Sequence, residues 1–326
     1  MVAVNLDSVI FEWMEFLSIH KGQRPRGVLV YERTVKAFFV WLAANGVPAD
    51  PARVNRDLVG EWMKALFYDQ GNVNTSRASK LAAMRSFFGW LKYEGRIQVD
   101  PTKGIPSPKI QPHLPQKFST EELRLLFRAP DLQTRMCLRD LALLKTLYAS
   151  GLRVSELVAL DVSHLVDTGG YIRLQVMDGK GGKGRTLTLR TNPSRTLREW
   201  LLMRQGIDAG NDALFIRLKG PGHGRLSDRS AQNILKKYAA AVGIASAEVF
   251  CHKMRSTFAT DLYDSGHDQC PRCGQKIAYV GILELAALMG HEDVKTTMGY
   301  VAISERTLRK TAIPDRRFNE IEQEDN

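Results

Sequence analysis

No stretch of this 326-residue chain approaches the roughly twenty consecutive apolar residues that a helix needs to cross a bilayer. No lipidation signal is present either. The opening residues, MVAVNLDSVIFEWMEF, set acids among the apolar positions and lack a basic run, which is not the pattern of a secretory leader. A membrane partner is therefore not expected, and the expected compartment is the cytoplasm. Cysteine is scarce. The four thiols, Cys137, Cys251, Cys270 and Cys273, do not make a disulfide framework in a chain of this length, and Cys137 reads as a core residue. A phosphate-binding loop is absent, because GKGGKG at 179–184 does not follow the G-x-x-x-x-G-K-[ST] order. No paired carboxylates cluster as a two-metal nuclease requires, and there is no internal repeat.

Basic charge is what the chain has in excess. Lysine and arginine number 46 against 35 acids, a formal net charge of +11, which favours a polyanionic partner without identifying it. Apolar residues make up 44%, enough for a real core.

Helical periodicity fills the first hundred residues. Leu6, Val9, Ile10, Trp13 and Leu17 share one face; Tyr31, Val35, Phe38 and Leu42 share another. Leu58, Trp62, Leu66 and Phe67 make a third stripe, and Ala78, Leu81, Met84, Phe88 and Leu91 a fourth. Spacings of three and four predict four helices that must pack together. Their polar faces carry Arg33 and Lys36 on the second helix and Arg77, Lys80 and Arg85 on the fourth. Each could be a solvated surface residue; as a set they are candidate DNA phosphate contacts.

The stretch DPTKGIPSPKIQPHLPQ, 100–116, holds five prolines and is expected to be a linker. Its Lys103 and Lys109 could touch DNA or serve only solubility. A second domain is expected over 117–326. It opens with a capping box, Ser119 with Glu122. A helix over 139–148 ends at Gly151, and a short helix follows around SELVAL. Tyr171–Val176 and RTLTL then alternate as two strands joined by the glycine-rich turn. The rest reads as helix, apart from a cysteine-bearing interruption at about 266–281.

Five groups in this second part bear chemistry: Arg153 in GLRVSEL (151–157), Lys180 in GKGGK (179–183), His252 with Arg255 in HKMRSTFAT (252–260), His291 in MGH (289–291) and Tyr300 in TTMGY (296–300). Alone, none is diagnostic. Their combination and order resemble the tyrosine recombinases, the family of phage-type integrases and Xer-like chromosome-dimer resolvases, over nearly the whole chain. The departures are mild: Met254 and Met289 stand where the family usually has leucine, and Ser256 where it often has histidine. The resemblance implies a mainly α fold with a small β-sheet or hairpin in the catalytic domain. It also implies a helical core-binding, DNA-binding domain (1–99) joined to an α+β catalytic domain. It puts Arg153, Lys180, His252, Arg255, His291 and Tyr300 on the six catalytic positions.

Physical chemistry supports that set. Attack on a phosphodiester builds charge on its non-bridging oxygens, which two arginine forks, Arg153 and Arg255, can grip. A phenol of pKa about 10 is a poor nucleophile at neutral pH, so Tyr300 needs a base, for which His252 is the candidate. The departing 5′ oxygen needs a proton, which Lys180 on its glycine-flanked tip can supply; Lys183 is the neighbouring alternative and a candidate DNA contact. His291 is expected to donate a hydrogen bond to the phosphate. Glu156, one helical turn from Arg153, is expected to hold that arginine or to be a surface carboxylate.

The function expected is site-specific DNA recombination or integration, on a mobile element or the chromosome, through a covalent 3′-phosphotyrosine and Holliday-junction exchange. No cofactor is expected for catalysis. The expected partners are double-stranded DNA with paired inverted-repeat core sites and a homotetramer on synapsed DNA. A type IB-like topoisomerase shares the covalent chemistry, and a non-catalytic DNA-binding protein would lack the catalytic groups. One segment departs from the family: 39 residues separate His252 from His291, more than is usual. The excess centres on SGHDQCPRCGQK, where Cys270 and Cys273 with His267 form a candidate structural zinc site; a metal-free loop or a redox pair are the alternatives.

Overall fold

The computed structural model describes residues 5–110, 116–131, 134–177, 184–220, 222–245, 249–264, 280–291 and 293–302, with the backbone alone for 300–302. Two compact units divide after Pro112.

In the first unit, Asn5 accepts the amides of Asp7 and Ser8 and starts α1 (Leu6–Ile19). Pro25 opens α2 (Pro25–Ala44), where a missing N–H costs nothing. Asn55 caps α3 (Arg56–Tyr68), and α4 (Asn74–Tyr93) follows. The shared core is aromatic: Trp13 meets Phe87 edge-on at 5.2 Å, and Phe38 meets Trp62 at 5.2 Å. The third stripe lies slightly rotated from the sequence expectation. Val59 and Met63 are buried, while Phe67 is 47% exposed and carries the Arg77 guanidinium 4.5 Å above its ring.

Residues 100–110, read from the sequence as the start of a linker, are tied to this unit. Asp100 caps the backbone at Thr102, and Arg56 donates to the Gly104 carbonyl at 3.2 Å. Arg85 donates to the Ser107 hydroxyl at 2.7 Å and to the Ile105 carbonyl, and Asn74 donates to the Lys109 carbonyl at 2.7 Å. Proline density shows where a helix cannot run, but not that side chains from other helices will hold the irregular segment that replaces it.

In the second unit, α5 (Thr120–Arg128) begins with the expected Ser119–Glu122 capping box. The long α6 (Arg135–Ser150) ends at Gly151 in the left-handed region, and α7 (Val154–Ala159) follows at once. Cys137 on α6 is half-buried rather than fully in the core. A three-stranded antiparallel sheet comes next: β1 (Leu165–Asp167), β2 (Ile172–Val176) and β3 (Arg185–Leu189), in that order. The register pairs Leu174 with Leu187 and Val176 with Arg185, so Ile172, Leu174, Leu187 and Leu189 all point into the core. The first strand, three residues long, has no alternation to be read from the sequence. Then come α8 (Thr191–Gln205), α9 (Asp228–Ala241), α10 (Cys251–Asp264), α11 (Ile282–Met289) and α12 (Lys295–Ala302). Trp200 of α8 is fully buried and donates its indole N–H to the Leu214 carbonyl. The fold is mainly helical with one small sheet, and among the described residues no helix is long and apolar enough to cross a membrane.

Candidate active site

Three segments far apart in sequence, α10 among them, come together. The first is the α6–α7 corner. Gly151 takes φ +61°, and a methyl group there would lie 2.1 Å from the Phe258 ring of α10, so the helices close only over glycine. Gly151→Ala combines left-handed strain with overpacking, together about 3 kcal/mol. It is expected to lower the melting temperature of the second unit by roughly 10 °C, which calorimetry would read directly. Two residues on, Arg153 caps α7. Its amide donates to Glu156 Oε2 at 2.7 Å and its Nη1 to Oε1 at 3.2 Å, while Nη2 reaches the Gly290 carbonyl at 3.3 Å.

The second segment is α10 itself, which sets His252 and Arg255 one turn apart on one face. Arg255 is 1% exposed. Its Nη1 donates to the Gly151 carbonyl at 2.6 Å, and its Nη2 bonds the Met289 carbonyl and sits 2.9 Å from His291 Nε2. The third segment is the corner after α11. Gly290, at φ +63°, turns the chain so that His291 faces back toward α10, with Nδ1 2.8 Å from the buried Thr297 hydroxyl of α12.

These contacts fix a tautomer. A guanidinium only donates, so His291 Nε2 accepts from Arg255, and Nδ1 carries the proton and donates to Thr297. Burial, then the charges of Arg255, Arg153, His252 and Arg185, push the His291 pKa down to about 4. Burial, Arg255 and Arg153 likewise lower that of His252. Both imidazoles are thus held neutral, the form a proton acceptor requires. Because His291 Nε2 is an acceptor here, donating to a phosphate from that atom would require Arg255 to let it go.

Glu156 sits beneath the arginines. Besides Arg153, it takes both terminal nitrogens of Arg185 at 3.1 and 2.9 Å and lies 3.8 Å from Arg255 Nη1. Burial alone would raise its pKa, but the hydrogen bonds from Arg185 and the Arg153 amide, with both their charges, outweigh it and hold the carboxyl below its ordinary value. Sequence reading passed over Arg185 and Thr297. The first follows the GKGGKG turn and has partners distant in sequence, while the second belongs to TTMGY and meets His291 only six residues away.

The structure brings together Arg153, Glu156, His252, Arg255 and His291. Tyr300 lies on α12 five residues after Lys295 begins it. Lys180 and Lys183 fall outside the described residues, as do His267, Cys270 and Cys273. Of the other candidate DNA contacts, Arg33, Lys103 and Lys109 are exposed. Lys36 pairs with Glu32 at 3.0 Å and Asp7 at 3.4 Å. Arg77 and Arg85 make the internal contacts described above, and Lys80 is 3.4 Å from the Asn72 carbonyl oxygen of its side chain, its pKa lowered by burial.

Comparison with known proteins gives a consistent picture. Residues 116–306 match the phage integrase family, and residues 10–95 match the phage integrase N-terminal SAM-like domain. Tyrosine recombinase XerC of Shigella flexneri is 30% identical over 300 residues, 91% of this chain and 92% of that protein. The XerC of Escherichia coli O157:H7 matches to the same extent. Among solved structures, the XerH site-specific recombinase bound to a palindromic difH substrate in a post-cleavage complex is similar with a TM-score of 0.71. It is 18% identical, over 95% of this chain and 89% of that one. A lambda integrase tetramer bound to a Holliday junction gives a TM-score of 0.65 at 16% identity, over 92% and 78%. At such identities these two likenesses speak for the fold.

Proposed function

The chain belongs to the phage integrase family, and from that premise we propose that Tyr300 is the nucleophile of a site-specific DNA recombinase. The enzyme cleaves and rejoins DNA strands. The observation that carries the residue assignment is the convergence of two guanidiniums, Arg153 and Arg255, with two neutral imidazoles, His252 and His291, at one end of α10.

In the proposed reaction the arginines hold the non-bridging oxygens of the scissile phosphate, where charge grows on attack. Tyr300 Oη bonds to phosphorus as its proton passes to His252, and the bond from phosphorus to the 5′ oxygen breaks as Lys180 protonates that oxygen. The products are a 3′-phosphotyrosine and a free 5′ hydroxyl. One phosphoester replaces another, so a 5′ hydroxyl from a second strand can reverse the step and complete exchange. Tyrosine recombinases need no cofactor for catalysis. The remaining basic residues, Arg33, Lys36, Arg77, Lys80, Arg85, Lys103, Lys109 and Lys183, are proposed as backbone contacts around the site. By analogy with the palindromic substrate of XerH and the tetramer of lambda integrase, the substrate is paired inverted-repeat core sites and the working assembly a homotetramer. With DNA as substrate, the place of action is the cytoplasm.

A duplex carrying a candidate inverted-repeat core site, nicked beside the cleavage point so that the short fragment with the freed 5′ hydroxyl diffuses away, tests this reading in EDTA. A protein–DNA adduct that survives denaturation is expected; no adduct on any such repeat, with supercoil relaxation by a monomer instead, contradicts it.

Cys270 and Cys273, with His267, are proposed to hold a structural zinc ion. The support is chemical: Cys-Pro-x-Cys-Gly points two thiolates at one metal, in a segment too small for a core of its own. Protein purified without a metal-affinity tag is expected to contain near-stoichiometric zinc, lost in Cys270→Ser and Cys273→Ser; zinc-free reduced protein would overturn the site.

A further inference from the structure

We infer that Arg185 is a positioning residue for the phosphate-gripping side of the site, holding Arg153 in place from behind. The inference rests on the recombinase reading above and adds a residue to it.

Arg153 is the outward arm of the cluster, its side chain 46% exposed. An exposed arginine samples many rotamers unless something fixes it. Among the described residues two acceptors take its guanidinium, the Glu156 carboxylate and the Gly290 carbonyl. Both lead back to Arg185. Its two terminal nitrogens grip both oxygens of Glu156, and its Nε donates at 3.0 Å to the Leu288 carbonyl, two residues before Gly290. The approach is close enough that a methyl group on Gly290 would lie 2.7 Å from Arg185 Nη1. The glycine therefore serves the turn into His291 and also leaves room for this guanidinium.

Arg185 itself is rigidly mounted. It is the first residue of β3, paired with Val176 on β2, and its side chain is 17% exposed. Its three nitrogens each donate to protein groups, so it serves as a strut between the sheet, α7 and the α11 corner rather than as a free phosphate donor. The planar fork matters: one guanidinium meets a carboxylate bidentately and a carbonyl through Nε, which an ammonium cannot reproduce.

The test compares wild type, Arg185→Gln, Arg185→Lys and, as control, Lys180→Ala. Single-turnover cleavage is measured on the nicked duplex with a normal 5′ oxygen or a 5′-phosphorothiolate, which leaves without a proton. Arg185→Gln is expected to cleave about 100-fold more slowly on both substrates, with DNA affinity close to wild type and a melting temperature lower by only a few degrees, still well above the assay temperature. Arg185→Lys is expected to recover less than tenfold of that loss. Lys180→Ala should be slow on the normal substrate and largely restored on the phosphorothiolate. Independently of cleavage, the Glu156 carboxyl followed by carbon NMR should titrate higher in Arg185→Gln, because the fork that favours its ionised form is gone while Arg153 and Arg255 remain. Full activity in Arg185→Lys, restoration of Arg185→Gln by the phosphorothiolate, a loss that merely tracks a lower melting temperature, or an unmoved Glu156 titration would each overturn the role. A shifted Glu156 titration with no adduct from wild type would leave the strut standing and remove the recombinase reading.

Discussion

Tyr300→Phe is expected to bind its DNA site as wild type does and to form no covalent adduct, a loss of about 10⁵-fold or more in cleavage. The substitution removes one oxygen and leaves the ring. In the proposed reading affinity comes from the basic surface and the arginines, none of which the substitution alters, so binding should persist with its usual salt dependence. The chemistry should not persist: a phenyl ring has no oxygen to join to phosphorus, an imidazole would give only a labile phosphoramidate, the guanidiniums only donate, and the Thr297 hydroxyl is buried against His291 Nδ1. A gel-shift titration beside a denaturing gel of the trapped reaction checks both halves.

Arg255→Ala is expected to slow cleavage by about 10³-fold. It also strips the Gly151 and Met289 carbonyls and His291 Nε2 of their common donor, which costs about 2–4 kcal/mol of stability. Arg255→Lys separates the two effects: it keeps the charge, fills most of the space and loses the fork, so the rate should stay about 10²-fold down in a protein that melts nearer wild type. A pH profile adds a sign. The Arg255 charge contributes to the lowered pKa of both His252 and His291. With it gone, each imidazole protonates at higher pH, so the acid limb of the rate profile of Arg255→Ala should move up toward the ordinary histidine range. An acid limb that stays put would detach those histidines from the reaction.

What the sequence made legible was local. GLRVSEL carries a helix stop, a cap and an i, i+3 pair within seven residues, and the structure has Gly151, Arg153 and Glu156 in those conformations and contacts. The helices were legible because burial repeats every three to four residues, as Val9, Ile10, Trp13 and Leu17 do. Three kinds of feature were not legible. Arg185 meets Glu156 29 residues away and Leu288 103 away, and no local pattern encodes such a partner. The near-complete burial of Arg255 follows from two corners, after α6 and after α11, closing around it, so its sequence neighbours gave only the motif. Phe67 lies beside Leu66 on a helix whose buried stripe passes through Val59 and Met63 instead, a rotation that hydrophobicity alone did not choose.

The most direct measurement is the identity of the residue joined to DNA. Adduct trapped on the nicked duplex, digested with nuclease and trypsin, is expected to yield the peptide 296–306, TTMGYVAISER, with a nucleotide 3′-phosphate on Tyr300. The same remnant on any other residue, or an adduct that forms in Tyr300→Phe, would contradict the account.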